Sequence, residues 1–183
     1  MQHAAIGLIE SNSIAKGVEF ADCMVKTAEV TILVAKSICP GKYIVLIGGD
    51  VAAVKQSVST ALALSPSVIV DHFVIANIHP SILPAISGGT EVHDVNAVGV
   101  LETYSVAATI EATDLAVKAA SIIPIRMHLA FGIGGKSYVA FTGDVADVNA
   151  AMDVAAESAS SRGFLVNKVV IPRPHQQVIN SLL

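Results

Sequence analysis

The sequence predicts an α+β protein made of two copies of one unit. Three observations support this prediction: an internal repeat, hydrophobic patterns that alternate between strand and helix, and a polar, glycine-rich linker. The repeat is plain where residues 5–11, AIGLIES, recur at 97–103 as AVGVLET. We therefore expect one unit at residues 4–88 and a second at 96–175, joined through a linker at 87–94.

Each unit has the same predicted order of elements, β-α-β-β-α-β. Strands are predicted in the first unit at 4–10, 31–38, 43–47 and 70–76, and in the second at 97–103, 122–129, 138–141 and 165–171. This order is the split βαβ, ferredoxin-like plan, in which helices cover one face of an antiparallel sheet.

The helices follow from spacing and capping residues. Ser13 is a favourable N-cap, and the helix after it has apolar residues at helical spacing, namely Ile14, Val18, Ala21, Val25 and Ala28. Asp50 and Asp144 are predicted N-caps of the second helix in each unit.

Composition narrows the function. Charged residues make up 14% of the 183 residues, against about 25% in an average soluble domain. Since burying unpaired charge is costly, so few charges are consistent with extensive subunit interfaces. A net charge of −4 offers no basic surface for nucleic acid, and no apolar run is long enough to span a membrane. The N-terminus lacks the pattern of a signal peptide, so we expect a cytoplasmic protein.

One segment imitates a phosphate-binding loop. Residues 130–137, AFGIGGKS, almost fit G-x-x-x-x-G-K-[ST], a motif that needs a helix to follow it. Here the next residues, 138–141, read as a strand, so we expect a hairpin turn. Neither a catalytic triad nor a metal-binding spacing of His and Cys is recognisable. We therefore predict that the chain is not an enzyme.

A repeated Asp-x-x-x-Lys ends the first helix of each unit, with Lys26 and Lys118 as its lysines. A cation near a helix C-terminus is stabilising, but a contact at the edge of an assembly fits the pattern equally well. Spacing alone leaves both interpretations open.

Together these motifs resemble the bacterial microcompartment shell domain. The residues that carry the resemblance are the two copies of Gly-(Leu/Val)-(Ile/Leu)-Glu, Asp-x-x-x-Lys, Gly-Lys and Gly-Asp-Val, and the ending Val-Ile-Pro-Arg-Pro-His at 170–175. Two such domains in one chain resemble the trimeric class. Within it, segments 76–81 and 128–136 are most similar to a minor shell protein of propanediol-utilisation microcompartments.

The resemblance implies a homotrimeric, pseudohexameric tile that contacts other shell proteins. Lys26, Lys118 and Arg173 would lie at tile edges. The turn between the second and third strands of each unit would line a central pore for small polar metabolites. The residues so implied are Ser37, Ile38, Cys39, Pro40, Gly41 and Lys42 in the first unit, and Phe131, Gly132, Ile133, Gly134, Gly135, Lys136 and Ser137 in the second.

The resemblance also raises the question of a cofactor. The similar minor shell proteins carry a [4Fe–4S] cluster at the pore, held by one Cys from each subunit, and the resemblance matches that Cys to Ser137. Thiolates hold such clusters, so no cofactor is expected with Ser137, and a cluster is expected if the natural residue there is Cys. In this chain the thiol on the pore side is that of Cys39, which could either ligate a cluster or be a simple structural or exposed thiol.

Three functions stay open on sequence grounds. The first is a structural tile with a transport pore. The second is a redox conduit through the shell, which depends on the cluster. The third is a ligand-binding regulator on a ferredoxin-like fold, since a fold does not fix a function.

Overall fold

The computed structural model describes residues 4–92 and 94–182. The chain divides into two compact units. Unit 1 contains the residues up to Ile78 together with the short segment 131–135. Unit 2 contains the rest of the chain from His79 onwards. Across the described residues, no helix combines the length and the hydrophobicity needed to cross a membrane.

Unit 1 is a four-stranded antiparallel sheet packed against two helices. The strand order is β2-β3-β1-β4, so that β2 and β4 form the edges. Its elements are β1 (Ala5–Ser11), α1 (Ile14–Thr27), β2 (Val30–Ile38), β3 (Lys42–Gly49), α2 (Val51–Leu64) and β4 (Ile69–Ala76), with a 3₁₀ turn at Pro66–Val68.

Unit 2 repeats this plan and adds two short helices. Its sheet has the equivalent order β6-β7-β5-β8, also antiparallel. Its elements are α3 (Ile82–Ser87), β5 (Ala97–Thr103), α4 (Val106–Ala119), β6 (Ile122–His128), β7 (Ser137–Gly143), α5 (Val145–Ser161), β8 (Leu165–Pro172) and α6 (Gln176–Leu182).

The predicted α+β class and the βαββαβ order are confirmed in both units, with element ends shifted by one or two residues. The helices α3 and α6 were not predicted. Each spans two turns or fewer, so neither shows a long helical period in the sequence. Helix α3 ends at Gly88, whose φ of 73° is the left-handed conformation typical of a helix C-terminus.

The predicted caps have mixed outcomes. Ser13 caps α1 as predicted, and its side chain accepts a hydrogen bond from the Lys16 backbone N–H. Asp50 and Asp144 do occupy the N-cap positions of α2 and α5, but neither side chain makes a capping hydrogen bond. The predicted N-cap positions are therefore confirmed, without a side-chain cap; the Asp144 carboxylate instead accepts a hydrogen bond from the Asn96 amide at 3.1 Å.

The helix-facing side of the unit 1 sheet carries the core. Odd-numbered residues of β1 face the helices, because a side chain at Gly7 would meet Val54 and Val58 of α2. From α1 the core receives Phe20 and Met24, both fully buried. The predicted apolar stripe of α1 is only partly on this side: Ala21 is buried in the core, whereas Ile14, Val18 and Val25 are 46%, 53% and 40% exposed.

The close approach at Gly7 gives the first prediction. An added Cβ would lie 2.6 Å from Val58 Cγ2 and 2.8 Å from Val54 Cγ1. We expect Gly7→Ala to lower the free energy of unfolding by about 1–3 kcal/mol through overpacking, measured by urea denaturation. The control is Gly89→Ala, where the nearest atom is 3.6 Å away. Equal effects of the two substitutions would contradict the close packing of β1 on α2.

Candidate functional site

The first predicted pore loop is the short turn between β2 and β3. The two strands stay paired up to Ile38 and Lys42, so the turn itself consists of Cys39, Pro40 and Gly41. The Cys39–Pro40 peptide bond is cis, and Gly41 has a φ of 84°. The Gly41 N–H donates to the Ile38 carbonyl at 3.1 Å, which closes the turn.

The second predicted pore loop lies between β6 and β7 and is longer. All three of its glycines, Gly132, Gly134 and Gly135, have positive φ, and so does Ala130. Strand β7 begins at Ser137, so no helix follows the Gly-Gly-Lys-Ser segment. The structure therefore confirms a hairpin loop, because a phosphate-binding loop would need a helix N-terminus at this point.

The two loops meet within unit 1. The Gly132 N–H donates to the Cys39 sulfur at a distance of 3.4 Å. Gly135 packs so closely that a Cβ there would lie 2.6 Å from Pro40 Cδ and 2.9 Å from the Cys39 carbonyl oxygen. Since the φ of Gly135 is also 83°, both the space and the backbone conformation require glycine at this position.

The predicted pore residues differ in exposure. The exposed group can face a channel, and it consists of Ser37, Pro40, Gly41, Phe131, Gly132 and Gly134. Half-buried residues are Cys39, Ile133 and Lys136, and buried residues are Ile38, Lys42, Gly135 and Ser137. The Phe131 side chain is 69% exposed. Only part of each loop is therefore available to a solute.

Both loop lysines form ion pairs with a glutamate of the neighbouring strand. Lys42 pairs with Glu10, whose side chain is fully buried. Lys136 pairs with Glu102 at 2.5 Å in a more open setting. The hydrogen bond to Glu102 and the attraction of that carboxylate raise the pKa of Lys136 above its ordinary value. The positive charges at the loop ends are thus largely neutralised locally.

The two glutamates were not singled out from the sequence. A signal was available, because Glu10 and Glu102 occur at the same place in both repeats, each inside an otherwise apolar strand. A charged residue in such a strand needs a partner when it is buried. The Gly-Lys pair that recurs in both turns supplies that partner.

Ser137 and Cys39 lie in different environments. Ser137 is fully buried, and its hydroxyl donates to the His128 carbonyl at 2.8 Å. Cys39 is half-buried in the first turn and is a free thiol. Within the described part of one chain, no group of three or more His, Cys, Asp or Glu side chains could hold a metal ion.

The three residues predicted at tile edges differ in their ion pairs and in their exposure. Lys26 pairs with Asp22 at 2.7 Å, and both side chains are well exposed. Lys118 pairs with Asp114 at 2.5 Å, but this carboxylate is buried and also accepts the His79 backbone N–H. Arg173 is exposed and has a positive φ of 49°. Its counterpart in unit 1, Asn77, is also exposed and has a φ of 55°.

The Lys136–Glu102 pair predicts a pH dependence. Glu102→Gln should lower the pKa of Lys136 toward 10.5, because it removes the carboxylate that raises it. Since the pKa is raised in the folded state, the pair stabilises fully below 10.5 and ceases to do so as pH rises through the raised pKa. NMR titration of the Lys136 side chain measures the shift. An unchanged Lys136 pKa in the variant would contradict the pairing.

Comparison with known proteins identifies the repeated unit. The family model of the BMC domain matches residues 5–78 and again residues 97–174. The chain is 53% identical over 174 residues to the bacterial microcompartment shell protein PduT of Citrobacter freundii, and the match covers 95% of each chain. One copy alone is 44% identical to the shell protein EutM of Salmonella typhimurium, over 80% of that protein and 43% of this chain.

Solved structures agree with this result. A microcompartment protein of Desulfitobacterium hafniense DCB superposes with a TM-score of 0.86 at 47% identity, covering 96% of this chain and 98% of that chain. A fused permuted hexameric shell protein of the RMM microcompartment has a TM-score of 0.64 at 23% identity, covering 85% and 81%, which shows likeness of fold. The resemblance predicted from the sequence is confirmed: the chain belongs to the BMC-domain family of bacterial microcompartment shell proteins, as a tandem two-domain member similar to PduT.

Proposed function

We propose that three copies of this chain form a pseudohexameric shell tile with a pore at its centre, lined by the two loops. The observation that carries the proposal is the meeting of the loops, where the Gly132 N–H reaches the Cys39 sulfur. Turns from both repeats thereby lie at one place. The BMC-domain family is structural, so the proposed role is a wall component and not an enzyme or a ligand-binding regulator.

The exposed loop residues define the chemistry of the proposed pore. The Ser37 hydroxyl and the backbone groups of Gly41, Gly132 and Gly134 offer neutral hydrogen-bonding partners. Lys42 and Lys136 add little charge, because each is paired with a glutamate. Such a surface suits small, polar, uncharged metabolites. Phe131 narrows the opening if it points toward the axis.

The two units offer unequal edges to neighbouring tiles. The Lys26 ammonium is well exposed and its partner Asp22 also lies in solvent, where such pairs contribute little to stability. It can therefore exchange Asp22 for a backbone carbonyl or carboxylate of another tile. Lys118 is held by a buried carboxylate and is less free to do so. We therefore assign the main lateral contacts to Lys26 and Arg173.

This assignment predicts how tiles assemble into sheets. Lys26→Asp should abolish extended sheets seen by negative-stain electron microscopy, because it replaces the exposed donor with a like charge beside Asp22. The mass of the isolated tile should stay unchanged. The control is Lys55→Asp, an exposed lysine on α2. Intact sheets in the Lys26 variant would contradict the role of Lys26 at the edge.

A second candidate function is a redox conduit, and the position of Cys39 favours it. A thiolate can ligate iron, whereas Ser137 is buried and uses its hydroxyl internally. The Cys39 sulfur lies in the exposed turn and already accepts an N–H from Gly132, the kind of hydrogen bond that tunes iron–sulfur clusters. Three chains would bring three Cys39 thiolates to the proposed axis. We therefore infer that Cys39, and not position 137, would hold a cluster that passes electrons across the shell.

Anaerobic reconstitution with iron and sulfide tests this candidate. The protein should become brown and give the electron paramagnetic resonance signal of a [4Fe–4S] cluster on reduction. Cys39→Ser should lose both signals, while Cys23→Ser, which alters the half-buried thiol of α1, should retain them. Absence of a cluster in the unaltered chain would remove the conduit and leave the transport pore as the function.

A further inference from the structure

The repeat allows the junction between the second helix and the last strand to be compared in the two units. In unit 2, Lys168 of β8 pairs with Asp153 of α5 at 2.5 Å. The strand register aligns His72 of β4 with Lys168, and the distance from the helix N-cap aligns Ser59 of α2 with Asp153. The junction in unit 1 therefore keeps a basic side chain but lacks the carboxylate that unit 2 contains.

Unit 1 also has an additional positive charge at this junction. Lys55, one helical turn before Ser59, takes the place of Asn149 in unit 2. It is the only charged residue of α2, and its ammonium forms no ion pair within residues 4–92 and 94–182. The buried Asp71 of β4 points to the other face of the sheet, because successive residues of a strand alternate. Neither of the two elements that form the junction thus supplies a carboxylate to balance Lys55.

A groove of about 390 Å³ opens between α2 and β4 at this place. Its α2 residues recur at helical spacing and so share one face of the helix. Three of the lining side chains carry hydrogen-bond donors, namely an ammonium, a hydroxyl and an imidazole, and three are apolar. They are Lys55, Val58, Ser59 and Leu62 of α2, and His72 and Val74 of β4. The groove therefore offers a site for an anionic group beside an apolar surface.

We propose that this groove binds a small monocarboxylate with a short alkyl chain. The carboxylate accepts hydrogen bonds from Lys55, Ser59 and His72, and it supplies the negative charge that Asp153 supplies in unit 2. Hydrogen bonds between ionised groups are stronger than neutral ones. Unit 2 shows that this junction of the fold accommodates a carboxylate beside a basic side chain.

The apolar part of the groove sets the length of the alkyl chain. Val58 and Leu62 are one helical turn apart, about 6 Å along the axis, which matches a chain of about four carbons. The site goes beyond the proposed pore, because it lies at the β4 edge of the sheet. The Cys39 turn joins β2 and β3, which lie on the other side of β1.

Titration of the intact, assembled protein with sodium butyrate tests the proposal. Methyl NMR of isotope-labelled valine and leucine side chains, at constant ionic strength, is the readout. The Val58, Leu62 and Val74 methyl signals should shift until they saturate. Butyramide, which has a similar shape but no charge, should bind at least about tenfold more weakly, because it loses the charge-assisted hydrogen bonds.

Two substitutions distinguish this site from a general effect of charge. Lys55→Gln should weaken butyrate binding by about tenfold or more. Ser59→Asp should abolish it, because the new carboxylate pairs with Lys55 one turn away and reproduces the charge balance of unit 2. The control is Lys36→Gln, which removes a lysine of β2 at the other edge of the sheet. All three residues are exposed, so each variant should fold and keep the mass of the unaltered protein in light scattering.

The outcomes that would overturn the site are specific. Methyl shifts that rise linearly with butyrate, or that butyramide reproduces equally well, would show that no carboxylate site exists. Equal weakening in the Lys36 and Lys55 variants would reduce the effect to overall charge. If inorganic phosphate displaced butyrate at equal concentration, the assignment to a carboxylate with an alkyl chain would be wrong. None of these results affects the proposed tile, because its mass is measured separately.

Discussion

The structure depends on one constraint: each antiparallel sheet has two apolar faces, and its own two helices can cover only one. Gly7 and Gly99 mark the covered faces, since both lie against the second helix of their units. The opposite faces carry Leu8 in unit 1 and Val100 in unit 2, each next to a glutamate. A sheet with a second apolar face requires a further partner. This requirement accounts for a chain that is rich in apolar residues and poor in charge.

The same constraint connects the loops to the assembly. A glutamate on the second face pairs with the lysine that ends the turn, Glu10 with Lys42 and Glu102 with Lys136. Each pair ties a turn to the strand beside it and removes a free charge from the loop. Glycines then let the longer second loop approach the first, where Gly135 packs on Pro40. The candidate pore loops thus expose backbone and small neutral groups, and the two Lys–Glu ion pairs fix the ends of these loops to the sheets.

Much of the fold could be predicted because its signals are local. The helical spacing after Ser13 and the strand after Lys136 lie within short windows of the sequence, and the repeat shows the same local signals twice. The face of a residue at the end of a strand could not be predicted in this way, since a shift of one residue reverses it. The resemblance placed Ser137 at the pore, but only the structure shows that its side chain is buried and that its hydroxyl donates to the His128 carbonyl. The exposure of Val18, against the burial of its counterpart Ile110, likewise depends on tertiary packing.

The central claim is that three chains form a ring around an axis lined by the turn between β2 and β3 and the loop between β6 and β7. Cryo-electron microscopy of the purified protein tests this claim most directly. The account predicts a closed ring of three chains with six similar lobes, with Cys39 and Phe131 at the central axis. A dimer with two-fold symmetry, or a ring with these turns on its outer rim, would contradict the account.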